Sequence, residues 1–363
     1  MKIAVLGGGN GSFAATGDMA LAGHDVRLWR RDLDAVKAHN AAGGTIVVKD
    51  VRGRHEAKPA SITNDIAAAV SGSELILCPT PATAQQDIAR ALAPHLSDGQ
   101  VVFLPPGTFG SYVFAKAKHE AGNRADAAFA ETGTLPWLAR KHGPHDVAIT
   151  VRAKRLPTGV LPRRLKDHAL GVIGRAFPGV IENCGDALSA ALMNAGPIIH
   201  PPLIVMNAAP LEHFPRWDVH REGTQAAVRR VTDALDAERI AVRAALGYGA
   251  PHFPLANHYA AEGEEWMYGR GSHDKLTDSG DWREHIVLTQ HRYMLEDVRI
   301  GLSFLVSCGE LAGVATPLAR AFLAIGGAIC GEDFMQTGRT LASLGVGDLG
   351  KDRLKALLAE GLR

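Results

Sequence analysis

With 363 residues, 39 basic against 38 acidic side chains and 46% hydrophobic content, the chain has an ordinary globular composition and a length that suits two domains, each able to bury a core. A net charge of +1 without runs of five or more like charges argues against nucleic-acid and membrane-surface partners and leaves small molecules.

The first strand, Lys2 to Leu6, runs into the loop Gly7-Gly8-Gly9-Asn10-Gly11-Ser12 and then a small-residue helix from about Gly11 to Leu21, with Gly23 as its C-cap. A second strand, Val26 to Trp29, ends in Arg30-Arg31-Asp32. Glu74 to Cys78 and Val101 to Leu104 read as buried strands closed by the turns Pro79-Thr80-Pro81 and Pro105-Pro106-Gly107. Ala127 to Glu131 and Val147 to Val151 are two more, and Val180 to Glu182 is an edge strand. Alternating strands and helices predict a Rossmann-type α/β domain with a parallel sheet. From Asp186 the pattern turns helical, at 186–208, 221–246, 291–312 and 315–329, so an all-α second domain is expected. The boundary falls at domains 1–185 and 186–363, with 249–283 a long connection or a set of short helices. Four cysteines without a CxxC pair form neither a disulfide framework nor a zinc knuckle, which points to the cytoplasm. No apolar run is expected to reach the roughly 18 to 20 residues that span a bilayer, and the N-terminus lacks a signal-peptide pattern.

The glycine loop carries the first functional signal. It follows a strand and opens a helix, the context in which GxGxxG binds a dinucleotide. Gly7 permits the tight turn and Gly9 lets backbone approach a pyrophosphate. Ser12 stands where the third glycine usually does, and Asn10 and Gly11 complete the cradle at the helix N-terminus. An acid at the end of the second strand would accept the ribose hydroxyls of NAD; Arg30 is there instead, suited to a 2′-phosphate. NADP(H) is therefore the preferred cofactor, with NAD(H) left open through Asp32 or Asp34. Pro81 and Glu131, at carboxyl ends of strands, are further cofactor contacts.

The second signal lies in Asn194-Ala195-Gly196-Pro197-Ile198-Ile199-His200-Pro201-Pro202. A polar Asn and His inside an apolar run are costly unless satisfied or used, and the prolines predict a kinked or restarted helix. His200 suits proton donation to a carbonyl or imine; the structural alternative is a core histidine bonded to a backbone carbonyl. Arg292, Glu296 and Asp297 form a further cluster, read either as helix-capping charges or as an acid that orients His200 beside an arginine that holds a carboxylate. The histidines between 252 and 291 lack metal-ligand spacing.

Taken in order, these motifs resemble the opine dehydrogenases of the octopine and nopaline dehydrogenase group, closest to the bacterial N-(1-D-carboxyethyl)-L-norvaline dehydrogenase type. The carriers are the glycine loop, Glu131-Thr132 with Arg140, the Asn194 to Asn207 stretch, Arg292-Tyr293 with Glu296-Asp297-Val298, and Glu332 to Gly345. The resemblance implies a Rossmann domain followed by a helical one, an active site in the cleft between them, and reductive condensation of a 2-keto acid with an amino acid by way of an imine. It implies His200 as acid/base, Asp297 as its orienting partner, Asn194 as a substrate contact, and a homodimer. Two rivals remain at this stage: a simple carbonyl reductase of the glycerol-3-phosphate dehydrogenase or ketopantoate reductase type, and a non-catalytic NADPH-sensing module. The carbonyl reductases usually rely on a lysine, and none lies between Asn194 and Asn207.

Overall fold

The runs Leu75–Leu77, Val101–Leu104 and Ala128–Thr132 are buried along their whole length, as strands covered on both faces must be. They form the middle of one sheet in the computed structural model, which describes residues 1–362. Among the described residues eight strands lie in the order Ile181–Asp186, Leu156–Leu161, Ala128–Thr132, Val101–Leu104, Leu75–Leu77, Lys2–Leu6, Asp25–Trp29, Ser61–Thr63. Neighbours are parallel, except that Leu156–Leu161 runs antiparallel to Ala128–Thr132. The direction of strand addition reverses between Lys2–Leu6 and Leu75–Leu77, the kind of switch point at which doubly wound sheets bind ligands beyond the strands' carboxyl ends.

Val147 to Val151, expected in this sheet, instead belongs to a second one. Its order is Gly53–Ala57, Ile46–Asp50, Asp146–Arg152, Trp137–Lys141. The helix Asn10–Leu21 packs against strands of both sheets. Asp18, on that helix, accepts from Trp137 Nε1 at 2.7 Å and pairs with Arg152 at 2.7 Å, and Arg152 also reaches Asp50 at 2.8 Å. Burial alone would push the Asp50 carboxyl up, but bonds from Arg52 and Arg152 hold it down at about 2.

Several strands are illegible in sequence for local reasons. Leu156–Leu161 contains Pro157 and Gly159, residues that argue against a strand interior. Gly159 is needed because a Cβ there would lie 2.0 Å from the Asp186 carbonyl oxygen on the neighbouring strand.

The chain forms two compact units, and they do not follow a single cut at residue 185. The first comprises Met1–Thr80, Ala84–Ala191 and a C-terminal segment beginning at Leu357; the second comprises Pro81–Thr83 and Leu192–Ala356. The second unit is built on the helices Gly196–Val205, Ala226–Ala245, Ser303–Ala312 and Pro317–Cys330. The 249–283 region holds two short helices, Ala256–Tyr259 and Ser272–Asp278.

Helix Gly196–Val205 continues through Pro201 and Pro202 rather than restarting, held by its packing against the 293–302 segment. The apolar run Ala187–Val205, 19 residues, is long enough by composition to cross a membrane, but 72% of it is buried inside the protein, as for a core element.

Candidate active site

The glycine loop leaves Lys2–Leu6 at the sheet's switch point. Gly7 takes φ +120°, where a side chain would be strained, and a Cβ would also strike Ser12 Oγ at 2.6 Å. Ser12 is fully buried and donates to the Leu6 carbonyl at 3.3 Å, so its hydroxyl braces the turn. Gly9 precedes the helix with extended backbone; no side chain caps the first N–H groups, and the first turn holds no acid. A Cβ on Gly9 would meet nothing within 4 Å. An uncapped helix start with open space beside it fits the pyrophosphate of a dinucleotide. Gly11 approaches the Pro79 carbonyl, a Cβ there lying 3.0 Å from it, and the Asn10 side chain accepts from the Lys141 N–H at 3.0 Å.

Arg30 lies against this loop: its Nε is 3.0 Å from the position a Gly8 Cβ would take. Asp32 is committed elsewhere, capping the helix Leu33–Ala41 by accepting from the Ala35 N–H. Two expected cofactor contacts sit in other surroundings. The fully buried Glu131 accepts from Ser111 at 2.8 Å and packs on Gly107. Pro81 is exposed and belongs to the short segment packed with the second unit, where the Ala82 N–H donates to Glu296 Oε1 at 2.8 Å and its carbonyl accepts from Arg339 at 3.2 Å.

In the second unit the two distant clusters meet. His200 Nδ1 and Asp297 Oδ2 are 2.7 Å apart across 97 residues of sequence, with side chains 12% and 5% exposed. Helix Gly196–Val205 carries the histidine. The carboxylate comes from Tyr293–Leu302, a stretch with the wide hydrogen-bond pattern of a π-helix, a form that recurs at functional sites. The two segments touch closely: Gly301 leaves no space for a Cβ beside Pro197, and a Cβ on Gly196 would lie 2.3 Å from Asp297 Oδ1. Asn194 is buried, and its side-chain oxygen accepts from the Gly196 N–H at 3.0 Å, shaping the entry to the histidine helix.

Residues not singled out for this role complete the site. The Tyr293 ring stacks on His200 with centroids 3.7 Å apart and planes 13° from parallel, and its hydroxyl lies 3.3 Å from His220 Nε2. No sequence signal marks His220, which the fold brings in from 73 residues away. Arg292 lies 4.9 Å over the Tyr293 ring, pairs with Glu296 at 3.4 Å and keeps its side chain 41% exposed. Burial pushes the Asp297 carboxyl up to about 7 against the opposing charge of Arg292. Burial likewise pushes Glu296 up to about 7, helped by the Asp297 charge and opposed by Arg292 and the Ala82 N–H. The Asp297 carboxyl on Nδ1 fixes the orientation of the His200 ring.

A dinucleotide cradle in one unit and a buried His–Asp pair in the other define an NAD(P)-dependent oxidoreductase. The family described as NAD/NADP octopine/nopaline dehydrogenase, alpha-helical domain, matches residues 183–330. The opine dehydrogenase of Arthrobacter sp. (strain 1C) is 30% identical over 374 residues, covering 99% of this chain and 97% of that protein. The vitopine synthase of Allorhizobium ampelinum is 27% identical, covering 95% and 96%. In structure the chain is similar to octopine dehydrogenase in complex with NADH and agmatine, with a TM-score of 0.74, 18% identity and coverage of 100% and 99%, a likeness of fold. The chain belongs to the opine dehydrogenase family and is an NAD(P)-dependent oxidoreductase acting on CH–NH groups.

Proposed function

We propose that the protein condenses a 2-keto acid with the amino group of an amino acid and reduces the resulting imine, preferring NADPH. The observation that carries this reading is the buried 2.7 Å pair of His200 and Asp297. Support for the substrate classes comes from octopine dehydrogenase structures described with NADH and L-arginine and with NADH and pyruvate.

When bound, the cofactor supplies the hydride that reduces the imine carbon. The chain's own groups handle binding and protons. His200, its ring plane fixed by Tyr293 and Nδ1 held by Asp297, gives a proton from Nε2 to the oxygen that departs as water, takes one back from the nitrogen as the imine forms, and returns it to that nitrogen as the imine is reduced. Asp297 stabilises the imidazolium while it holds the extra proton. The Arg292 fork holds a substrate carboxylate, and Glu296 keeps that arginine in place. Asn194 fixes the helix entry and contacts substrate. Gly7, Gly9, Asn10 and Gly11 hold the pyrophosphate, and Arg30 the 2′-phosphate of NADPH. Yersinopine dehydrogenase, of similar fold, is described with NADP+ bound.

The test is NADPH and NADH oxidation with a panel of 2-keto acids, each with and without amino acids, in wild type, His200→Ala and Arg30→Asp. Turnover that needs both substrates, falls about 10³-fold in His200→Ala and shifts toward NADH in Arg30→Asp is expected. Turnover with a keto acid alone would refute the condensation, and an unchanged cofactor preference in Arg30→Asp would refute its assignment.

A further inference from the structure

The strand Trp137–Lys141 ends beside the glycine loop, where the Lys141 N–H is bound by Asn10. The Lys141 ammonium lies 3.7 Å from the centre of the Phe13 ring, and the Arg30 guanidinium lies 5.5 Å from the same centre. The two cations are thus within about 9 Å of each other. Both side chains are part-buried. Arg30 makes one long bond, 3.4 Å to the Ala35 carbonyl. Among the described residues neither cation has a carboxylate partner.

The groups around them add more base than acid. His39 stacks on Phe13 at 5.7 Å and on His145 at 4.1 Å. Lys141 is held below its ordinary value by burial and then by the Arg30 charge. Two other part-buried arginines of this unit are neutralised, Arg152 by Asp18 and Asp50 and Arg155 by Glu182. Like charges withdrawn from water without a counterion cost free energy that a bound dianion recovers. A phosphate offers three oxygens, two for a guanidinium fork and one for an ammonium.

We propose that Lys141 is a second phosphate-binding cation of the cofactor site, holding the 2′-phosphate of NADPH together with Arg30. This rests on the assignment of Arg30 to that phosphate made above. It makes cofactor choice a property of two segments: the end of the second strand of the dinucleotide fold, and a strand of the separate four-stranded sheet. Lys141 thereby acts as a specificity-determining residue rather than a surface charge.

Calorimetric titration of the whole protein with adenosine 2′,5′-bisphosphate and with adenosine 5′-monophosphate isolates the 2′-phosphate without turnover. Wild type is expected to prefer the bisphosphate. Lys141→Met should weaken the bisphosphate about tenfold and leave the monophosphate within twofold; Lys141→Arg should restore most of the loss. Lys141→Gln, closer in polarity, repeats the measurement if the methionine variant folds poorly. A Lys141→Met protein that keeps the full preference overturns the proposal and leaves the Arg30 assignment standing. An equal loss for both ligands overturns it by putting Lys141 on the 5′-phosphate side. A wild type without any preference overturns it together with the Arg30 assignment, while the keto acid and amine assay of the preceding section is unaffected.

Discussion

The most economical way to test the His200–Asp297 pair is to move it without removing either group, and Gly196→Ala does that. A Cβ at Gly196 would stand 2.3 Å from Asp297 Oδ1 and 3.2 Å from its Cγ. Ordinary carbon–oxygen contact needs the oxygen to retreat by about 1 Å, and the carboxylate, as the end of a side chain, can do so without unfolding the helix. That retreat carries Oδ2 away from His200 Nδ1, stretching a 2.7 Å bond to the outer limit of hydrogen bonding. A misplacement of this size costs about 10²-fold in kcat, equivalent to about 2.7 kcal/mol of transition-state stabilisation. The stability cost is only that of one weakened buried bond, about 1 kcal/mol. The assay is steady-state imine reduction with saturating keto acid and amino acid, with thermal unfolding and cofactor affinity measured alongside. The cradle residues belong to the other unit, so cofactor affinity should hold within twofold. If kcat stays within threefold of wild type in a folded Gly196→Ala protein, the pair does not govern the chemistry and the reasoning fails.

Reduction consumes a proton, so its rate should be flat at acid pH and fall as pH rises past the neutral region, where the His200–Asp297 pair loses its transferable proton; oxidation of the product should show the mirror image. Asp297→Asn should lower kcat by about 10²-fold or more and move the fall to lower pH, because the amide cannot stabilise the imidazolium; an unmoved profile would count against the pairing. Arg292→Lys keeps the charge but loses the planar fork, so KM for a carboxylate substrate should rise about tenfold with kcat changed less, as read from initial rates. Arg152→Met removes the cation shared by Asp18 and Asp50 and leaves them with Trp137 and Arg52 as partners, and should cost about 2 kcal/mol in denaturant unfolding. Asp50 is held below its unfolded value, so its stabilisation is present above about pH 4 and is lost as pH falls toward about 2; that acid sensitivity should shrink in Arg152→Met.

The order of elements and the cofactor cradle were legible in sequence because both are local. A glycine loop between a strand and a helix reports its own backbone requirements, and continuous apolar runs such as Val101–Leu104 report their burial. The strands Lys2–Leu6, Leu75–Leu77 and Val101–Leu104 followed from neighbours a few residues apart, whereas the helix Leu33–Ala41 and the strands Ile46–Asp50, Gly53–Ala57 and Ser61–Thr63 did not. His200 and Asp297 were each visible as polar residues in apolar surroundings, and the family resemblance linked them in role; their 2.7 Å contact is tertiary. The run Val147 to Val151 was legible as a strand, but nothing announced that it pairs with Ile46–Asp50, 99 residues earlier at Asp146 and Val47, and neither Trp137–Lys141 nor Leu156–Leu161, which straddles a proline and a glycine, gave a strand signal.

What the sequence determined by itself is the dinucleotide fold, the helical second half and the identities of the acid/base candidates, since hydrophobic period and turn chemistry are written along the chain. Tertiary structure alone decided that the 293–302 segment widens into a π-helix, that Tyr293 and His220 frame His200, that Asp32 is spent on a helix cap, and that Lys141 joins Arg30 beside Phe13. Those facts depend on which distant surfaces pack together, and packing is set by the summed shape of many side chains rather than by any one stretch of them.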